Sequence, residues 1–185
     1  PETEFLCETV LSNADSHHLR SGGPILDLCC GSGVIAVVLA RETGRPVVAV
    51  DLSWQALQVA QANLERHGCQ QQITLIQGNL LQPFGGYGRF PLVVTNPPYV
   101  RSNQILDELA PEVARFEPHI ALDGGGSGLA IIDAICRNLT RVIAPGGEIF
   151  MEIGADKGDE VVAMFASLKD KSGRPVVCDK RVYAD

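Results

Sequence analysis

An open α/β sheet of parallel strands with right-handed crossovers is the fold class this sequence predicts. Short apolar runs alternate with segments of helical spacing almost without interruption. A Gly31-Ser32-Gly33 turn follows the first run, and Asp51, Asn79 and Asn96 fall at the ends of later ones. Ligands of such sheets bind at the carboxyl ends of the strands, so these polar positions share an edge.

Taken in order, Thr3 is the expected N-cap of a helix running to about Arg20, with Leu6, Val10 and Leu11 on one face. Pro24 to Leu28 reads as a buried strand, and Val34 to Ala40 as a helix that Gly44 ends. Val47 to Val50 is the second strand, closing on Asp51. Ser53 caps the helix carrying Leu57, Ala60 and Leu64, which Gly68 stops. Ile73 to Ile76 and Leu92 to Thr95 give strands three and four, with 82–88 as a loop between them. A polar segment from Val100 to Gly128 is too long for a simple connection and reads as a substrate-side loop or as partly disordered. Leu129 to Val142 is a helix with Ile132, Ile135, Leu139 and Val142 inward, and Pro145-Gly146-Gly147 turns into strand five, Ile149 to Ile153. Asp159 to Leu168 reads as a further helix and Val176 to Val182 as an edge strand.

The length of 185 residues suits one domain with a real core. No apolar run approaches a membrane span and no signal peptide opens the chain. A net charge of −7 speaks against sequence-blind binding to duplex nucleic acid, which wants a basic face. The six cysteines form no CxxC pair; Cys29 and Cys30 would point apart, a poor disulfide or zinc site. Such scattered thiols fit a reducing, cytoplasmic setting. No metal site is expected, and His17-His18 reads as solvated surface.

Asn96-Pro97-Pro98-Tyr99 is the most specific chemical signal. Consecutive prolines hold φ at about −65° and lack N–H groups, so the strand ends stiffly and its carbonyls are left as acceptors. With the Asn96 amide, such acceptors suit a planar –NH2, either a carboxamide or an exocyclic amine. At the other motif, Gly31 and Gly33 allow close backbone approach to a ligand, and Asp51 follows Gly33 by 18 positions, where a ribose diol would be gripped. Asp27 can take an ammonium group, which a dinucleotide does not present.

Pro1-Glu2-Thr3-Glu4, Asp27 to Gly33, Asp51, Val94 to Val100, Phe116-Glu117-Pro118, Ala121 to Gly125 and Met151-Glu152-Ile153-Gly154 occur in this order. Together they resemble the catalytic domain of the protein-(glutamine-N5) methyltransferases that modify peptide-chain release factors, the HemK/PrmC family, over essentially residues 1–185. The resemblance implies a class I, Rossmann-like methyltransferase fold with helices on both faces of the sheet. It implies S-adenosylmethionine as cofactor, with S-adenosylhomocysteine as product. Cys29, Cys30, Gly31, Ser32 and Gly33 would line its site, Asp51 and Leu52 the ribose side, and Asn79 and Leu80 the adenine; Thr3 and Asn96 would lie near its methionine end. Asn96, Pro97 and Glu152 would hold the glutamine amide, with Pro98 alongside and Tyr99 near the transferred methyl. The partner implied is a release factor, with no membrane. Departures from the family pattern are Cys29-Cys30 in place of Gly-Thr, which restricts the loop, and Asn79 in place of an acidic residue. The family's helical N-terminal domain is not in this sequence, and the chain stops where a Gly-rich turn and final antiparallel strand would follow, so it reads as truncated at that sheet edge.

Other readings use the same motifs. A nucleic-acid methyltransferase would offer the tetrapeptide to an exocyclic amine of a flipped base, but no recognition domain accompanies it. A nicotinamide oxidoreductase would need a hydride-transfer acid or base that the motifs do not supply. A non-catalytic cofactor-binding module would bind but not transfer.

Overall fold

In this computed structural model the described residues are 2–14, 23–86, 89–107, 119–169 and 172–184. They fall into two compact units, Pro1–Asn96 with Arg141–Glu152, and Pro97–Thr140 with Ile153–Asp185.

The first unit is built on a five-stranded sheet of order β3-β2-β1-β4-β5, parallel throughout. Its strands are β1 Ile25–Leu28, β2 Val47–Asp51, β3 Ile73–Gln77, β4 Phe90–Thr95 and β5 Ile143–Met151. β1 and β4 are buried along their whole length, which is why they read as continuous apolar runs rather than alternating ones. Three helices belong to this unit: α1 Glu2–Asn13, α2 Val34–Thr43 and α3 Trp54–His67. α1 packs on α2 and α2 on α3, and their inner residues join Ile25, Val47, Ala49, Leu92 and Val94 in one hydrophobic core. Full burial of one such side chain contributes about 1.5–3 kcal/mol.

Local chemistry explains the helix limits. Ser53 caps α3, its Oγ accepting from the Ala56 N–H at 3.2 Å, and Gly68 closes it at φ 70. Gly44 closes α2 at φ 69. Thr3, by contrast, is not an N-cap: α1 begins at Glu2, and the Thr3 hydroxyl instead accepts a hydrogen bond from Asn96. The proposed extension of α1 to Arg20, like His17-His18, lies outside the described residues.

Strand five differs from its expected form. β5 starts at Ile143 and takes in Pro145-Gly146-Gly147, which were expected as a turn before it. The pairing runs Phe90 with Ile143 and then Leu92 with Glu148, so the extra residues form an irregularity in the ladder. Proline offers no N–H and Gly146 stands at φ 74, the two properties a bulge uses.

The second unit contains α4 Ser102–Asp107, α5 His119–Leu122, α6 Ala130–Leu139 and α7 Gly158–Ala166. The long segment after the tetrapeptide is therefore partly helical in its described portions, and Val100 bridges Asp123. Phe116-Glu117-Pro118 lies outside the described residues. α6 buries Ile132, Ile135, Cys136 and Leu139, meeting α7 and its Val161 and Phe165. The expected edge strand at 176–182 is not formed: after the Lys169–Pro175 bridge these residues pair with no strand, and Val182 is exposed. Alternating apolar residues make a strand only where a neighbour supplies a ladder, and Asp179-Lys180-Arg181 favour water over one.

Asp27 is an ionisable residue at the middle of the sheet, fully buried on β1 between Ala49 of β2 and Val94 of β4. Its Oδ2 accepts the Ala36 N–H at 3.0 Å, while Oδ1 is buried with no hydrogen-bond partner among the described residues. Burial pushes this carboxyl up to about 8, against the pull of the Ala36 N–H and with help from nearby Asp51.

Two outcomes follow for stability. Gly33 stands at φ 77, and a Cβ there would lie 3.1 Å from Ala60 Cβ on α3. Gly33→Ala should therefore cost about 1–2 kcal/mol in urea unfolding. For Asp27, the folded state holds a proton that the unfolded chain releases near pH 4. The stability this contributes is full below about pH 4 and is lost as pH rises toward about 8. Urea midpoints measured across that window should fall more steeply for the ligand-free wild type than for Asp27→Asn; parallel curves would contradict the assignment.

Candidate functional site

The carboxyl ends of β1, β2 and β4 lie on one edge because the three strands are parallel and in register. Leu28 pairs with Val50 on one side and with Thr95 on the other. The residues that follow these positions are Cys29, Asp51 and Asn96, so one sheet edge collects the glycine turn, the carboxylate and the amide. The buried Thr95 hydroxyl donates to the Leu28 carbonyl at 2.9 Å and ties β4 to β1 at that point.

The turn after β1 runs through left-handed backbone at Cys29 (φ 57), Gly31 (φ 52) and Gly33 (φ 77). For a non-glycine residue this costs about 1–2 kcal/mol. Cys29 therefore takes the conformation that a glycine would adopt there freely, so the loop reaches its shape at the price of local strain. The Cys30 N–H bonds the Val50 carbonyl at 3.0 Å and Gly33 N–H the Cys30 carbonyl at 2.8 Å. Asn63 of α3 donates to the Ser32 carbonyl at 2.9 Å, fastening the turn from outside. Cys30 is buried and Cys29 half-buried, both as free thiols. Burial raises the Cys29 thiol to about 12 and Cys30 further still, with Asp27 and Asp51 adding to both, so neither is a ready thiolate.

Asp51 binds the turn directly. Its Oδ2 accepts the Gly31 N–H and its Oδ1 the Ser53 N–H, each at 2.8 Å. A carboxylate has about four lone-pair directions, so two remain for a vicinal diol. The buried Asp27 Oδ1 has the opposite character, an acceptor with no donor among the described residues, and an ammonium group would satisfy it. No atom lies within 4 Å of a Cβ placed on Gly31, leaving space beside the turn. These residues thus fit a ligand bearing a cationic amine and a ribose. The segment after β3 joins them: Gly78 N–H bonds the Asp51 carbonyl at 2.9 Å, the Gln77 side chain donates to the Leu52 carbonyl at 3.3 Å, and Leu80 holds φ 49. Asn79 is exposed, its carbonyl accepting the Gln82 N–H at 3.0 Å.

At the end of β4, Asn96 Nδ2 donates to Thr3 Oγ1 at 3.2 Å, which leaves Asn96 Oδ1 as an acceptor. The Glu152 N–H bonds the Thr95 carbonyl at 3.0 Å, so Glu152 stands beside the start of the tetrapeptide. Glu152 Oε2 is withdrawn from solvent.

Pro97, Pro98 and Tyr99 begin the second unit. Pro97 is buried and Tyr99 half-buried. Here Gly124 and Gly128 have a steric reason. A Cβ on Gly124 would lie 2.8 Å from Tyr99 Cα, and one on Gly128 would lie 2.5 Å from the Tyr99 carbonyl oxygen. Val100 completes the clasp, its N–H bonding the Leu122 carbonyl at 3.0 Å and its carbonyl accepting the Gly124 N–H at 2.8 Å. The clasp, the Thr3–Asn96 bond and the Asn63 anchor were not expected from sequence. Among the described residues, no group of three His, Cys, Asp or Glu side chains could hold a metal, and no helix is long and apolar enough to cross a membrane.

Residues 2–132 match the family described as "Methyltransferase small domain". The chain is 39% identical over 166 residues to a release factor glutamine methyltransferase of Geobacter sulfurreducens, covering 89% of this chain and 55% of that protein. It is 41% identical over 167 residues to a protein of the same name from Gloeobacter violaceus, covering 90% and 57%. A ribosomal protein uL3 glutamine methyltransferase of Bradyrhizobium diazoefficiens is 41% identical over 139 residues, covering 75% of this chain and 42% of that protein. The chain thus spans between half and three-fifths of the length of the release factor enzymes, 55% and 57%. In fold it is similar to a ribosomal protein L11 methylase from Lactobacillus delbrueckii subsp. bulgaricus, with a TM-score of 0.64, 17% identity, and coverage of 90% of this chain and 68% of that one. The parallel sheet is accordingly of the class I, Rossmann-like kind. By sequence and architecture together, this chain belongs to the methyltransferase small-domain family, in its HemK/PrmC branch.

Proposed function

We propose that the chain is the catalytic domain of an enzyme that methylates the side-chain nitrogen of a glutamine in a protein, using S-adenosylmethionine. The substrate we assign is the Gly-Gly-Gln loop of a peptide-chain release factor, after the names of the relatives that align over 89–90% of this chain. The observation that carries the reading is the Asn96–Thr3 hydrogen bond, because it fixes which end of the Asn96 amide is left to accept.

When bound, S-adenosylmethionine supplies an electrophilic methyl group on a sulfonium. The residues proposed to hold it are Asp27 for its ammonium, Asp51 with Leu52 on its ribose side, the Cys29 to Gly33 turn for its backbone approach, and Asn79 and Leu80 for its base. A carboxamide nitrogen is a poor nucleophile because its lone pair is delocalised into the carbonyl. Asn96 Oδ1 and the carbonyl of the adjoining Pro97 would accept the two N–H groups of the substrate amide. Holding both protons off the carbonyl plane favours a pyramidal nitrogen with its lone pair directed at the methyl group. Developing positive charge on nitrogen then meets fixed dipoles that need no reorganisation. Positioning at about 3 Å supplies the remainder. Glu152 would take a further hydrogen bond from the substrate, with Pro98 and Tyr99 continuing the substrate side of the tetrapeptide. No strong general base is needed, since the alkylated amide gives up its proton readily to water.

The reading is tested by incubating the chain with isotope-labelled methyl donor and, separately, a release factor, a ribosomal protein uL3 and an RNA transcript. One methyl on the Gly-Gly-Gln glutamine of the release factor, located by mass spectrometry, is the expected result. Label confined to RNA adenine would overturn it in favour of amine methylation on a base. Asn96→Ala should lower kcat at least about 100-fold with cofactor affinity largely intact. Thr3→Val should lower kcat roughly tenfold and Thr3→Ser should restore it, as befits one hydrogen bond that orients an acceptor. Near-normal turnover in Asn96→Ala would refute the assignment.

A further inference from the structure

Among the described residues of the second unit, Lys157 is the buried cation: only 4% of its side chain is exposed. Its ion-pair partners are not buried with it, since the side chains of Asp156 and Glu160 are 69% and 54% exposed. Taking an ammonium out of water is costly, and an apolar side chain of similar shape often serves stability as well or better. Its burial therefore points to a role other than holding the fold.

Lys157 stands immediately before α7. Its N–H bonds the Gly154 carbonyl at 2.9 Å and its carbonyl accepts the Val161 N–H at 3.0 Å. Its ammonium lies 3.3 Å from Asp156 Oδ2 and 3.2 Å from Glu160 Oε1. The same Asp156 Oδ2 accepts from Arg101, two residues past Tyr99, at 3.3 Å. One carboxylate oxygen thus joins a cation that follows the tetrapeptide to a cation that follows β5. Tyr99 packs against the same turn. A Cβ placed on Gly154 would meet Asp156 Oδ1 at 3.3 Å, Lys157 Cγ at 3.5 Å and Tyr99 Cδ2 at 3.5 Å, so carboxylate, lysine stem and aromatic ring crowd round one glycine. The Tyr99 backbone is enclosed by Gly124 and Gly128, and a Cβ on Gly128 would also lie 3.5 Å from Arg101 Cγ.

We propose that Arg101, Asp156 and Lys157 form a positioning bracket that holds Tyr99, and with it the Pro97 carbonyl, in place for methyl transfer to the substrate amide. This rests on the glutamine-methylation reading given above and adds to it three positioning residues that act through Tyr99 and Pro97. Pro98 lies between those two with its φ fixed by the ring, so a displacement of Tyr99 passes to the Pro97 carbonyl instead of being absorbed on the way. Alone, the Arg101–Asp156 pair would be a surface contact worn down by water and salt. The buried ammonium keeps Asp156 in one place and so gives Arg101 a fixed partner. Because Asp156 and Glu160 stand mostly in water, they lose little when that ammonium is removed, and the fold does not depend on it.

The test assays the full chain with labelled S-adenosylmethionine and a release factor. Values of kcat and KM are measured for wild type, Lys157→Met, Asp156→Ala and Arg101→Met, with S-adenosylhomocysteine affinity read by calorimetry and stability by urea unfolding. Lys157→Met keeps the apolar stem and loses the ammonium, whereas Asp156→Ala changes an exposed side chain. Each variant should lower kcat roughly tenfold, as a slight misplacement of an acceptor does, with KM and cofactor affinity near wild type. Since both cations act through Asp156, Arg101→Met combined with Lys157→Met should be no slower than the slower single variant. Asp156→Asn keeps an acceptor oxygen and should recover most of the loss. Urea midpoints should match wild type, separating lost positioning from lost fold. Wild-type kcat in Lys157→Met and Asp156→Ala overturns the bracket while leaving the glutamine reading intact. So does a raised KM with unchanged kcat, which marks a docking contact, or a loss of kcat that tracks a lowered urea midpoint. Absence of glutamine methylation by wild type overturns the glutamine reading and the bracket together.

Discussion

The hydrogen bond between the Asp51 carboxylate and the Gly31 N–H, at 2.8 Å, links the ends of β2 and β1 and sets the shape of the candidate site. It depends on the parallel register of the two strands, which brings Leu28 opposite Val50. It also depends on the left-handed turn, which directs the Gly31 N–H toward β2. The same carboxylate accepts the Ser53 N–H at 2.8 Å, so the start of α3 is tied to this junction as well.

Cys29 shows how firmly that shape is imposed. A cysteine resists left-handed backbone, yet φ is 57, and the neighbouring bonds from Cys30 and Gly33 are formed. The surrounding strands override the local preference, as expected where a turn is determined from both sides. Asp27 tells a similar story in electrostatic terms. A carboxyl fully enclosed by the sheet, with one oxygen unsatisfied, is costly to the fold alone and becomes reasonable where a cationic group completes it.

Much of this was legible in the sequence. The four early strands, the caps at Ser53, Gly44 and Gly68, and the inward face of α6 follow from apolar spacing and turn chemistry, both local properties. What escaped was non-local. Thr3 looked like a helix cap, because a hydroxyl before a helical run usually serves there; its partner is 93 positions away. Pro145-Gly146-Gly147 looked like a turn, and only the pairing with β4 reveals an irregularity within a longer strand. Val176 to Val182 had the alternation of a strand but no ladder to join. Gly124 was visible as a motif residue and Gly128 only as the end of the polar segment, whereas their steric duty around Tyr99 depends on the folded backbone.

The central claim is that the ligand edge of this sheet is the carboxyl edge, organised by Asp51 and Gly31. Backbone amide shift mapping by NMR with S-adenosylhomocysteine tests it most directly. Large shifts at Gly31, Ser32, Ser53 and Leu80, with the Asn96 side-chain amide following, are the predicted result. Shifts confined to the amino ends of the strands, around Gly23, Arg45 and Gln72, would contradict it.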